Sequence, residues 1–225
     1  MIENNVINKP GLKFFLLALG AFMGLGLEIV VVGLGFLVFG ETASFHGPHW
    51  QLIIHWIVTC IFWSGAVIIL IKLAKKKLDF DIFIKGNKMK MWQWGAITFA
   101  IVLSFVMSYV GWHMNFKIIR EFVNLGLLRF IFQYSYYIVE TALFLLIIVF
   151  GQKAIEIWTK KPNIPWGGII CGLTWGISHI ISRGFFDPIN GISSAIAGFL
   201  FGAAYLLVNR DIKKAYVVLL LMFVI

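Results

Sequence analysis

The sequence has little charge for its length. Of its 225 residues, 13% are charged and 60% are hydrophobic, and the mean hydropathy is +0.92. Soluble domains carry about 25% charged and about 45–50% apolar residues. The shortage of charge therefore excludes an ordinary soluble domain and predicts an integral membrane protein.

Cysteine and proline are also scarce. The chain has two cysteines, Cys60 and Cys171, and five prolines. Both cysteines lie in apolar runs and no CxxC pair occurs, which excludes a disulfide framework and a cysteine-rich metal site. With no proline-rich linker to divide it, the chain is predicted to be a single integral membrane domain over residues 1–225.

Long runs of apolar residues make up most of the sequence. A helix needs about 20 mostly apolar residues to cross the hydrocarbon core of a bilayer, and these runs do not alternate as the strands of a membrane barrel would. We expect an all-α transmembrane bundle of six to seven spans. The last run is short, and whether it crosses fully stays open. The runs are 12–39, 50–74, 91–112, 129–150, 165–183, 191–208 and 215–225.

The net charge of +9 is concentrated in alternate connections, at 72–90, 153–161 and 210–214. By the positive-inside rule these segments are cytoplasmic, and the N-terminus is cytoplasmic with them. We predict a multi-pass protein of the plasma membrane, with the bilayer rather than nucleic acid as its partner. The same lysines are suited to binding anionic lipid head groups. Segment 113–128 is weakly amphipathic and predicts an interfacial helix.

Glycines recur at four-residue spacing in three of the runs. Small residues at this spacing let neighbouring membrane helices approach closely. We therefore expect runs five and six to pack tightly in the centre of the bundle. The glycines are Gly168, Gly172 and Gly176 in run five, Gly198 and Gly202 in run six, and Gly20 and Gly24 in run one.

Two glutamates lie inside apolar runs: Glu140 in YYIVETALFLLIIVF and Glu28 in GLGLEIVVV. An acid at mid-bilayer costs about 2.5–3.5 kcal/mol on insertion scales, so it needs a partner, a proton, a metal or water. His179 and Arg183 share a helix face four residues apart, and either is a predicted partner of Glu140. Trp175 extends that face. Glu140 is thus either a buried structural acid or a residue that performs chemistry, and Glu28 is a candidate contact residue.

All five histidines fall in the outer half of this topology. Imidazole and carboxylate together suit zinc, so a divalent metal held by Glu140 and His179 is a further hypothesis. No HExxH-like spacing supports it. The histidines are His46, His49, His55, His113 and His179.

The order of motifs over 129–225 resembles the CAAX prenyl-protease and bacteriocin-processing family, also called the abortive-infection family, of membrane proteases. ETALFL (140–145) stands where that family has Glu-Glu-x-x-x-Arg. WGISH (175–179) is similar to its Phe-x-x-x-His motif, and GFLFGAAYLLVNRD (198–211) to its glycine-rich helix and turn.

The resemblance implies that Glu140 and His179 activate a water molecule for attack on a peptide bond. The chain departs from the pattern because Thr141 and Leu145 replace the second glutamate and the arginine, and the last His/Asn motif is missing.

Two functions follow as expectations. One is a peptidase acting on a membrane-bound or lipidated peptide. The other is a catalytically impaired relative, immunity-like or regulatory, that binds a peptide or a partner membrane protein. A transporter or channel that uses Glu28 and Glu140 is the alternative.

Overall fold

The computed structural model of the protein describes residues 2–44, 47–181 and 187–225. All regular structure in these ranges is helical, as predicted. The helices are α1 (Ile2–Leu25), α2 (Leu27–Phe39), α3 (His49–Leu78), α4 (Met91–Gly111), α5 (Lys117–Thr159), α6 (Trp166–Ile181), α7 (Pro188–Leu207) and α8 (Ile212–Val224).

Each predicted apolar run is mainly helical over its described residues, but the count of six to seven spans is not confirmed. In the described ranges, five helical stretches are long and apolar enough to cross a membrane. The helices α6 and α8 have 16 and 13 residues there, fewer than a full crossing needs. The five stretches are Lys9–Phe39, His49–Leu78, Met91–Gly111, Lys117–Thr159 and Pro188–Leu207.

Helix α5 is the most buried of the five stretches and contacts α1, α3, α6, α7 and α8. Its run from Leu143 to Phe150 is buried on every face. A membrane helix that is apolar all round and enclosed on all sides belongs at the centre of a bundle. The prediction that runs five and six form the centre is therefore wrong in one respect, because α5, which is run four, occupies it.

Helices α6 and α7 pack closely through glycine, as their spacing predicts. A Cβ atom added at Gly202 would lie 2.3 Å from the Cα of Gly168, and one added at Gly172 would lie 2.6 Å from the carbonyl oxygen of Ala195. Only glycine fits such backbone contact. The connection before α6 holds Pro162 and Pro165, and the helix begins at Trp166.

Helix α5 is folded back near its start. Gly126 has φ 71° and ψ 167°, a conformation essentially reserved for glycine. The hydroxyl of Tyr137 donates to Oε1 of Glu121 over 2.8 Å. Sixteen residues of straight helix would separate these positions by about 24 Å. Residues 117–125 therefore lie back against 127–140. The interfacial helix predicted at 113–128 corresponds to this helical segment, which buries Glu121 and leaves Ile119 and Val123 exposed. Its position at the membrane surface stays a prediction.

Candidate functional site

Glu140 and His179 lie at the same level on neighbouring helices. The helices α5 and α6 run antiparallel, and the rings of Phe144 and Trp175 meet with centroids 4.8 Å apart. Glu140 is one turn before Phe144, and His179 is one turn after Trp175. Because the helices run in opposite directions, both steps lead about 6 Å toward the same end of the bundle. The structure therefore brings the acid and the imidazole to one level of the α5–α6 interface.

The ring of His179 is held by the turn of helix below it. Its Nδ1 lies 2.9 Å from the carbonyl oxygen of Trp175, and the two rings meet edge to face at 4.6 Å. A carbonyl oxygen only accepts, so Nδ1 donates and carries the proton. In the neutral ring Nε2 then has the lone pair. This tautomer allows Nε2 to act as a base or as a hydrogen-bond acceptor.

Glu28 has partners that sequence reasoning missed. Its Oε1 lies 3.1 Å from Nε2 of His55 on α3, and its Oε2 accepts a hydrogen bond of 3.0 Å from the hydroxyl of Tyr136 on α5. The His55 side chain is 11% exposed and that of Glu28 is 35% exposed. The sequence pointed to the Glu28–His55 contact only through depth in the membrane, because both residues fall in the outer halves of consecutive apolar runs. Glu140, one turn after Tyr136, is electrostatically coupled to Glu28.

A second buried acid, Glu121, lies on the folded-back segment. Its Oε1 accepts hydrogen bonds from the Gln133 amide and the Tyr137 hydroxyl, and its Oε2 accepts one from Tyr134. Both oxygens of this buried carboxyl group are therefore satisfied by hydrogen bonds. Nothing in the periodicity pointed to this cluster, because it exists only through the fold-back at Gly126.

Lys117 begins the folded-back segment and lies near Glu140. Its Nζ donates to the carbonyl oxygen of Phe223 over 2.7 Å and sits 4.7 Å above the ring of Tyr137. Phe223 belongs to the last turn of α8, where a cation is favourable for the helix dipole. Lys117 also interacts electrostatically with Glu140 and with Glu121.

The positions that depart from the family motif lie in the core. Thr141 is fully buried and its hydroxyl donates to the carbonyl oxygen of Tyr137, while Leu145 is 4% exposed. Neither can supply an acid or a cation to the level of Glu140. The predicted partner Arg183 lies outside the described residues, as does His46.

The donor set does not fit the zinc hypothesis. Across residues 2–44, 47–181 and 187–225 no group of three or more His, Cys, Asp or Glu side chains could hold a metal ion. A structural zinc site needs four such ligands, and a catalytic site needs three. His55 instead pairs with Glu28, and His113 is exposed in a connection.

No protein-family model matches this chain, and no curated protein and no solved structure matches it. Its class therefore comes from the fold and the site. Over its described residues the protein is all-helical, with five helical stretches long and apolar enough to cross a bilayer. An acidic, an imidazole and a phenol side chain meet where α2, α3 and α5 pack together.

Proposed function

We propose that the protein is a divergent CAAX-protease-like membrane protein that binds a membrane-associated or lipidated peptide, or a partner membrane protein, and has little or no peptidase activity. The observation that carries this proposal is the placement of Glu140 and His179 at one level of the α5–α6 interface, beside Trp175. These are the residues that match the family motifs.

Binding is favoured over cleavage by what surrounds the pair. A carboxylate and a neutral imidazole can activate water. Peptide cleavage also needs donors for the oxyanion, and the loss of one such donor lowers the rate by about 10²–10³. Thr141 and Leu145 are buried in the core, and residues 212–225 contain no histidine or asparagine that could match the last motif. An acid and an imidazole without these donors still provide hydrogen bonds for a bound peptide.

The test is binding of a fluorescent lipidated peptide to the full chain in liposomes. We expect Glu140→Gln and His179→Gln each to weaken binding about threefold to tenfold, the effect of losing one hydrogen bond. Glu41→Gln is the matched control, because this acid lies in an exposed loop, away from the α5–α6 interface, and among the described residues it accepts a hydrogen bond from Gln51. Binding that is absent, or equal in all variants, overturns the proposal. Efficient cleavage that Glu140→Gln abolishes would replace it with the peptidase.

The orientation proposed here places the lysine-rich connections and the N-terminus at the cytoplasmic face of the plasma membrane. Its support is the distribution of lysine and arginine over the connections.

A transporter or channel subunit is the second candidate function, and it is favoured by the contacts of Glu28. An acid, an imidazole and a phenol joined within membrane-spanning helices can bind and pass protons. The test is proton flux in liposomes. Flux that Glu28→Gln abolishes and Glu41→Gln leaves unchanged supports this candidate, and the absence of flux in the unmodified chain removes it.

A further inference from the structure

One end of the bundle carries most of the positive charge. There α3 and α5 end, and α7 connects to α8. Contacts join these parts: Phe14 of α1 meets Phe80 at 5.1 Å, and the Asn209 amide donates to the carbonyl oxygen of Asn87 over 3.1 Å. Every Lys and Arg lies at this end by its position in the chain, except Lys117, Arg120, Arg129 and the undescribed Arg183.

Residues 83–94, here called the lysine lip, are fixed to this end by hydrogen bonds. The backbone N–H of Gly86 donates to Oδ2 of Asp211 over 3.3 Å. The Gln93 amide donates to the carbonyl oxygen of Leu207 and to Oδ1 of Asn209, each over 2.8 Å. The lip is therefore attached to the turn between α7 and α8, which fixes the backbone that carries its lysines.

The exposed surface of the lip alternates between apolar and basic residues. Tryptophans favour the membrane–water interface, and flanking lysines reach the phosphates while apolar side chains enter the acyl boundary. The exposed apolar residues are Phe83, Ile84, Met91, Trp92 and Trp94. The exposed lysines are Lys85, Lys88 and Lys90.

Two acids near the lip, Asp81 and Asp211, already form ion pairs with lysines outside it. Asp81 lies 3.6 Å from Nζ of Lys75, and Asp211 lies 3.6 Å from Nζ of Lys214. No described acid forms an ion pair with Lys85, Lys88 or Lys90. The three exposed ammonium groups are therefore available to anions at the level of the lipid phosphates.

We infer that the lysine lip is a binding site for anionic phospholipids of the adjacent leaflet. The lipid supplies negative charge to the three lysines, and its chains lie against the exposed tryptophan, phenylalanine and isoleucine side chains. A zwitterionic phospholipid has the same chains without net charge and binds more weakly.

The test is native mass spectrometry of the purified full chain, titrated with phosphatidylglycerol and with phosphatidylcholine. We expect at least about a tenfold preference for phosphatidylglycerol, which Lys85, Lys88 and Lys90→Gln together remove. The matched control neutralises Lys72, Lys76 and Lys161, which are equally exposed at the same end, and should change the preference less than about threefold. Equal losses in both triple variants, or no preference in the unmodified chain, overturn the inference.

A second variant tests whether the fixed position of the lip matters. A Cβ atom at Gly86 would lie 2.6 Å from the carbonyl oxygen of Asn209, so Gly86→Ala displaces the lip and leaves every charge in place. We expect the preference for phosphatidylglycerol to fall at least about threefold. If Gly86→Ala left the preference for phosphatidylglycerol unchanged, the fixed position of the lip would have no role, and the preference would come from the overall positive charge of this end.

Discussion

Glu28 shows at the residue scale how an acid is accommodated in an apolar helix. Alone at this depth it would cost several kcal/mol. In the fold both carboxylate oxygens have partners, His55 on one and Tyr136 on the other. Each partner comes from a different helix, so the carboxylate also joins α2 to α3 and to α5. The acid that is unfavourable for insertion thereby becomes a contact that fixes helix positions.

This pairing predicts a coupling between Glu28 and His55. We expect Glu28→Gln and His55→Gln each to lower thermal stability in detergent, since each leaves the other group without its partner. The double variant should be more stable than the sum of the two effects implies, by about 1 kcal/mol or more. Glu28→Gln with Lys88→Gln, which lie far apart, should be additive. Additivity of Glu28→Gln and His55→Gln would show that the contact contributes nothing.

Asp211 gives a pH dependence outside the spanning helices. Burial alone would raise the pKa of its carboxyl, but the N–H groups of Lys214 and Gly86 and the charge of Lys214 hold it below the ordinary 3.8. A carboxyl with a lowered folded pKa stabilises the protein above its unfolded value, and this contribution is lost as pH falls through the folded pKa. We expect stability to fall more steeply below pH 3.8 in the unmodified chain than in Asp211→Asn. An equal loss of stability with falling pH in the unmodified chain and in Asp211→Asn would contradict this prediction.

At the scale of helices, glycine determines how closely α6 and α7 pack. We expect Gly202→Ala to destabilise the protein by about 1–3 kcal/mol or more, because its Cβ would meet the backbone of Gly168 at 2.3 Å. Gly95→Ala in α4 is the control, since a Cβ atom there has no neighbour within 4 Å. The measurement is the thermal midpoint in detergent. Equal midpoints for the two variants would mean that α6 and α7 are not in backbone contact.

The fold-back of α5 depends on the conformation of Gly126. A Cβ atom there meets nothing within 4 Å, so the cost of Gly126→Ala is backbone strain alone, about 1–3 kcal/mol. We expect this variant to release residues 117–125, which faster amide hydrogen exchange of that segment would report. Gly111→Ala, also in open space but at the end of α4, should leave exchange unchanged. Protection retained in Gly126→Ala would show that the contacts of Glu121 hold the segment without the glycine.

The helices could be predicted from the sequence because an apolar run carries its own signal, whereas the polar contacts could not. The run around Leu143–Phe150 is apolar wherever its neighbours lie. The Glu28–His55 contact exists only because α2 packs on α3, and no local pattern encodes that adjacency. The Glu121 cluster depends on one glycine torsion. The level shared by Glu140 and His179 was predictable, since a short connection makes α5 and α6 antiparallel neighbours.

At the scale of the whole molecule, the two ends of the bundle differ in their number of basic residues. Basic residues gather at the end that holds the lysine lip, while Glu28, Glu121 and Glu140 lie toward the other end. This distribution suits a protein whose basic end meets anionic lipid and whose opposite half holds Glu140 and His179. Both proposed sites therefore depend on one orientation in the membrane.

That orientation predicts which positions a membrane-impermeant thiol reagent reaches in intact cells. In a chain with Cys60 and Cys171 replaced by alanine, Asn115→Cys should be labelled without permeabilisation and Lys88→Cys only after it, because α4 separates these exposed positions. The positive-inside rule gives the direction. The reverse pattern would place the lysine lip outside and contradict the cytoplasmic N-terminus. Labelling of both positions from one side would mean that α4 does not cross the membrane. Asn115 and Lys88 would then lie at the same membrane surface, and the site around Glu140 would be in the same leaflet as the lip.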